Sequence, residues 1–203
     1  LYSGQLSHYS NVASGITGYA PSYDKSSPLS PLRNAELRKK LKNLKGASDE
    51  VYSLVNAYGG RKLIGKTATE TAFKQAHNSK HILHLAMHTV IDDENPMYSK
   101  LAFAEEKDSV NEGFLNTYEI YPLKINSPLV VLSACNTGYG KIIDGEGIVN
   151  LTRGFYYAGC NSLLITLWNI SDQSSVQLMK LFYNNLDAHD DKTQLWPKLK
   201  SAT

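Results

Sequence analysis

Two residues in this 203-residue chain combine type and position in a way that could do covalent chemistry: Cys135 and His88. A cysteine attacks only as its thiolate, so it needs a neighbour that takes up and returns a proton. An imidazole does this near neutral pH. Cys135 stands in SACNTGYG, directly after the apolar run PLVVL, and His88 closes the run HILHLAMH. Both runs read as buried strands, and in open α/β sheets the chemistry gathers beyond the carboxyl ends of the strands. After Cys135 the chain turns polar and small, with Gly138, Gly140, Gly145 and Gly147. Such a loop lets a substrate backbone approach closely and leaves amide N–H groups for a developing oxyanion.

Other reactive side chains carry weaker signals. Cys160 follows Ala158-Gly159 at a predicted helix end and reads as structural. His81, His84 and His88 raise the question of a metal, but on a strand His84 and His88 share a face while His81 points the other way. No glutamate stands in a zincin pattern and no cysteine pair is near, so neither a metal nor a cofactor is expected. His84 reads as a core histidine bonded to the backbone. The stretch GRKLIGKT (Gly60–Thr67) fits G-x-x-x-x-G-K-T, which keeps a P-loop nucleotide-binding protein as a rival. Against it, the preceding ASDEVYSLVNAY reads as helix, the bulky Arg-Lys-Leu-Ile reads as strand, and no apolar strand ends in an aspartate for Mg²⁺.

The elements that must hold these residues follow from pattern. Ile16–Ser22 reads as a short strand ending at Pro21, and Ser22–Pro31 as a loop within a loop-rich stretch 1–33. Leu37, Leu41 and Leu44 at helical spacing predict a helix from about Asn34 to Lys45. A second helix spans Asp49–Tyr58, with Ser48 as N-cap and Gly59-Gly60 as the stop. Arg61–Ile64 is a short strand, and Thr67 with Glu70 makes a capping-box pattern ahead of a helix over Thr69–Ala76. Strands follow at His81–His88, Leu101–Ala104 and Ser127–Asn136, then a helix at Gly145–Ala158. A strand at Ser162–Trp168 precedes a helix at Ser171–Leu186, with Val176, Met179, Phe182 and Tyr183 on one side. Apolar strands without alternation, interleaved with helices, predict an α/β domain with a mostly parallel sheet.

Bulk properties narrow the class. The length suits one domain over 1–203, apolar residues make up 42% and charged residues 20%, and the net charge is +2. That charge is too mild to argue for a nucleic acid or a membrane surface. Two cysteines make no disulfide framework in a chain this long, which suggests a reducing, cytoplasmic setting. The start LYSGQLSHYS has no apolar core of a signal peptide, and no apolar run approaches the ~18 residues of a membrane span. The chain starts without Met and stops on KLKSAT, so it reads as a fragment of a larger protein.

From about Ile16 to Leu186 the chain resembles the CHAT family of caspase-like proteases, relatives of caspases and separase. The resemblance is carried by YAPSY (Tyr19–Tyr23), ILHLAMHT (Ile82–Thr89), LVVLSACNTGYG (Leu129–Gly140), GEGIVNLTRGFYYAGC (Gly145–Cys160), LLITLWNISD (Leu163–Asp172) and LMKLFYNNL (Leu178–Leu186). His88 precedes Cys135 by 47 residues, close to the caspase spacing of about 50. The resemblance implies a caspase-like three-layer α/β/α sandwich and a cysteine endopeptidase acting on protein or peptide substrates. It places a catalytic dyad on His88 and Cys135, and an oxyanion hole on the backbone N–H groups of Cys135 and Thr89. It also implies a helical-repeat region or regulatory protein that holds the enzyme inactive until a signal arrives. In LWNISD, Asp172 is similar to an acidic residue of separase that helps bind a basic side chain before the cut; Asp144 and Glu146 could equally line that pocket. In structural terms Asp172 would cap the following helix and Glu146 would complement a helix dipole.

The chain departs from the family pattern twice. Thr89 replaces the usual Gly after the catalytic His, and can donate its N–H only if the turn does not need φ > 0. The tail from 187 to 203, DAHDDKTQLWPKLKSAT when taken with Asp187, diverges from the usual Ala/Leu-rich helix. The first departure keeps open an inactive caspase-like scaffold that only binds partners.

Overall fold

The computed structural model describes residues 15–23, 32–76, 80–106, 111–133, 146–166 and 172–188. In chain order its elements are β1 (Ile16–Pro21), α1 (Leu32–Lys40), α2 (Ala47–Tyr58), β2 (Gly60–Gly65), α3 (Glu70–Ala76), β3 (Ile82–Leu85), β4 (Thr89–Val90), β5 (Lys100–Ala102), β6 (Phe114–Asn116), α4 (Thr117–Ile120), β7 (Val130–Leu132), α5 (Glu146–Tyr157), β8 (Leu163–Ile165) and α6 (Asp172–Ala188).

The apolar runs form one sheet in the order β2-β1-β3-β7-β8, with every neighbouring pair parallel. A parallel sheet must be covered on both faces, and side chains on successive residues serve the two faces in turn. Tyr19, Leu83, Leu85, Val130 and Leu132 pack with Phe73 of α3 and with Leu151 and Phe155 of α5. Ile16, Ala20, Ile82 and Val131 pack with Val51 and Leu54 of α2 and with Met179, Phe182 and Tyr183 of α6. The result is the expected α/β/α sandwich. Gly18 lies on the second face where α2 comes closest: a Cβ there would fall 2.6 Å from Val51 Cγ1.

Beside the main sheet stands a small antiparallel one, β4-β5-β6, which the sequence pattern indicated only through β5. A third apolar cluster fills the space between it and α1: Tyr23, Leu41, Ala102 and Phe114, with Leu37 against them.

Several boundaries differ from the sequence reading for local reasons. α1 ends at Lys40, because Leu41 turns into the third cluster and the next residues make tertiary contacts. Gly46, left-handed at φ 83°, precedes α2, so Ser48 lies inside the first turn and is not its N-cap. At α3 the Ala72 N–H donates to Thr69 Oγ1, while Thr67 Oγ1 binds the Ile64 backbone in a turn. GRKLIGKT is β2 followed by that turn: residues 60–65 pair one-to-one with 16–21 of β1, and an extended paired strand does not wrap a phosphate.

Candidate active site

The sheet order sets where a site can form. The chain goes from β1 to β2 on one side, then returns to place β3 on the other, so the topological switch lies between β1 and β3. Ligands in open α/β sheets bind in the crevice beyond the carboxyl ends at such a point. Tyr23 follows the end of β1 by two residues and His88 follows the end of β3 by three. β7, the strand leading to Cys135, pairs directly with β3. Cys135 and Asp144 lie outside the described residues, as does the side chain of Asp172 at the first position of α6.

His88 is held on several sides. Its Nε2 lies 2.6 Å from the backbone carbonyl of Lys42. A carbonyl only accepts, so Nε2 carries the proton, and in the neutral ring Nδ1 is left with its lone pair. Nδ1 is buried and has no hydrogen-bond partner among the described residues. His88 is 5% exposed, and its ring packs against Tyr23 with centroids 4.8 Å apart. Burial pushes the imidazole pKa below its ordinary value, and the bond to Lys42 opposes the shift in part. A buried, tautomerically fixed imidazole with one bare nitrogen is suited to take a proton.

Lys42 acts through its main chain, and the main chain there is anchored. The Arg38 guanidinium donates to the carbonyls of Phe103 (3.2 Å) and Glu112 (2.8 Å) and lies 4.4 Å over the Phe114 ring. Leu41 sits in the third cluster, and the Asn43 side chain accepts from the Tyr23 N–H at 2.6 Å. Residues 38–43 thus fix the carbonyl that orients His88. The sequence pattern gave no sign of it, since a carbonyl is common to every residue type.

Thr89 opens β4, where it opposes Leu101. A strand residue is extended, so this backbone does not require positive φ. The Ala102 N–H donates to the His88 carbonyl, which makes 88 and 102 a hydrogen-bonded pair. Pairs alternate along an antiparallel ladder, so the Thr89 N–H is directed away from β5.

The remaining candidates separate. Glu146 is exposed at the start of α5, and the Gly147 N–H behind it donates to Asp93 Oδ1 at 2.9 Å. Gly147 belongs to that helix, not to the loop after Cys135: a Cβ on it would fall 2.6 Å from Ile91 Cγ2. Cys160 donates its thiol proton to the Ser162 carbonyl, and burial pushes the thiol up to about 11, as befits a structural cysteine. His84 faces the opposite side of the sheet and is bonded to side chains, not to the backbone. Its Nε2 lies 2.7 Å from Glu50 Oε1, and its Nδ1 lies 3.1 Å from the Tyr183 hydroxyl.

A parallel five-stranded sheet between helical layers, with a histidine at its switch point, has the architecture of a caspase-like sandwich. The chain belongs to the CHAT domain family, whose pattern matches residues 13–197. It is similar to tetratricopeptide repeat protein 28 of Mus musculus and to its namesake in Homo sapiens, at 25% identity over 171 residues in each case. The match covers 69% of this chain and 7% of each relative, so the chain corresponds to a small part of those proteins.

Proposed function

We propose that this CHAT domain is a cysteine endopeptidase in which Cys135 is the nucleophile and His88 its proton carrier. The observation that carries the reading is the state of His88: buried at the switch point, with Nε2–H donated to Lys42 and Nδ1 bare. The Cys135 thiol gives its proton to Nδ1, and the thiolate attacks the scissile carbonyl carbon. The Lys42 carbonyl stabilises the resulting imidazolium through the same Nε2–H, as a third, backbone member of the constellation. N–H groups of Cys135 and Thr89 stabilise the oxyanion, a type of contact that contributes ~2.7–4 kcal/mol per donor. The imidazolium then protonates the leaving amine. Water, deprotonated by His88, attacks the thioester, and the proton returns to sulfur as the acid product leaves.

Asp172, Asp144 and Glu146 remain the candidates for a pocket that receives a basic side chain before the cut. The similarity to proteins named for tetratricopeptide repeats supports a working context beside a helical-repeat region. Activation by a partner or signal fits that context.

Cys135→Ala is expected to abolish cleavage of an unbiased peptide library while the far-ultraviolet circular dichroism and melting curve stay unchanged. Full cleavage by that variant would refute the assignment.

A further inference from the structure

The strand pairing next to His88 contains an irregularity with a functional consequence. β4 and β5 run antiparallel, with Thr89 opposite Leu101 and Val90 opposite Lys100, so the next opposed pair is His88 and Ala102. Two residues in a hydrogen-bonded pair normally exchange both backbone bonds. One of them is present: the Ala102 N–H donates to the His88 carbonyl at 2.9 Å. The return bond is replaced by a side chain. The His88 N–H donates to the Tyr23 hydroxyl at 3.1 Å, and that hydroxyl donates to the Ala102 carbonyl at 2.7 Å. A phenol from the end of β1 is spliced into the ladder at the residue whose side chain carries the proton.

The same tyrosine meets His88 in two further ways. Its ring lies 4.8 Å from the imidazole, tilted by 46°. Its own N–H binds Asn43, the residue after Lys42, whose carbonyl holds Nε2. Burial keeps the hydroxyl protonated, so it remains the donor that Ala102 needs.

We propose that Tyr23 is a positioning residue for His88: its spliced hydroxyl sets the histidine's main chain and its ring sets the imidazole, so that Nε2 reaches Lys42 and Nδ1 stays bare. Tyr23 does not touch the reacting atoms in this scheme. It acts through His88, and its catalytic consequence rests on the endopeptidase reading above, whereas its structural effect does not. With the hydroxyl gone, the His88 N–H and the Ala102 carbonyl either close on each other or stay unpaired. Either way the imidazole loses the frame that selects one tautomer.

The test uses the full chain with Tyr23→Phe, which keeps the ring, and Tyr183→Phe as a control. Tyr183 is another buried, hydrogen-bonded tyrosine, on the opposite sheet face. Two quantities are read. Long-range ¹H–¹⁵N spectra report the His88 tautomer, and the rate of Cys135 alkylation by iodoacetamide, located by peptide mapping, reports proton uptake from the thiol. Wild type should show His88 as a single Nε2–H tautomer. Tyr23→Phe should give a mixture and slow alkylation about tenfold, in line with the cost of misplacing a reacting group. Tyr183→Phe should lower the melting temperature while leaving both quantities at wild-type values. An unchanged His88 tautomer in folded Tyr23→Phe overturns the proposal, whatever the alkylation rate. A shifted tautomer with unchanged alkylation upholds the positioning and counts against the dyad instead. If Tyr23→Phe does not fold, wild type alone decides: a slowly exchanging Tyr23 hydroxyl proton with a cross-peak to the His88 amide proton is expected, and its absence overturns the splice.

Discussion

Burial keeps the His88 imidazole neutral at pH values where a histidine in open chain begins to charge. That preference has a sign that can be checked in stability. The folded pKa lies below the ordinary 6.5, with desolvation as the leading cause. As pH falls through that ordinary value the unfolded chain binds a proton that the folded chain refuses, so folding loses free energy. The contribution is complete above about pH 6.5 and declines as the pH drops toward the folded-state pKa. His88→Gln removes this titration. The stability difference between wild type and His88→Gln, from urea unfolding, is therefore expected to narrow from pH 7.5 to pH 5. A constant difference would mean that the ring charges as easily in the fold as outside it. The sequence singles out His88 and Cys135 as candidates because their types and strand-end motifs are written in side chains; the structure places His88 beyond the end of β3, and Cys135 lies outside the described residues. Lys42 and Tyr23 were not legible in their roles. One works through a carbonyl, and the other through a ladder whose partner strand is two residues long.

At the scale of elements, the long apolar runs announced themselves and the short ones did not. β3, β7 and β8 each lie within a longer apolar run, whereas β4, β6 and α4, at two to four residues, are too brief to show any period. The sequence pattern overextends α1 because Leu41 and Leu44 continue the helical spacing although their contacts are tertiary: Leu41 joins the third cluster and Leu44 packs with the α2–α6 layer. How tightly α2 lies on β1 rests on the missing side chain at Gly18. Gly18→Ala would place a methyl 2.6 Å from Val51 Cγ1 and 3.2 Å from Val51 Cγ2, in a core with no slack. The expected cost is ~1–3 kcal/mol, the usual range for overpacking. Val51→Ala removes the colliding methyls, so the double variant should be less destabilised than the sum of the two single ones, because contacting residues couple. Additive losses in urea unfolding would mean that the helix moves aside freely and that the close approach is not fixed.

For the whole molecule, the sheet divides two polar systems that arise from a single run, in which His84 and His88 stand four residues apart. On a continuous strand they would share a face. β3 ends at Leu85, and the chain turns His88 toward the α1 side while His84 stays between α2 and α6, bound to Glu50 and Tyr183. This second system joins three distant segments: α2, β3 and α6. Glu50 and His84 are both buried, so removing Glu50 takes the partner from a buried ring nitrogen, at the ~1–3 kcal/mol cost of a buried polar atom left unsatisfied. Glu50→Ala should therefore lower the melting temperature strongly. Glu50→Leu with His84→Leu and Tyr183→Phe removes the three bonded polar groups together, so that triple variant should be less damaging than Glu50→Ala alone. Neither variant touches the carboxyl edge of the sheet. Per folded molecule, the rate of Cys135 alkylation should stay at the wild-type value in both, the reverse of what is expected for Tyr23→Phe. A fall in that rate matching the loss of stability would show that the two faces communicate through β3, and that the pairing of His84 is part of what holds His88.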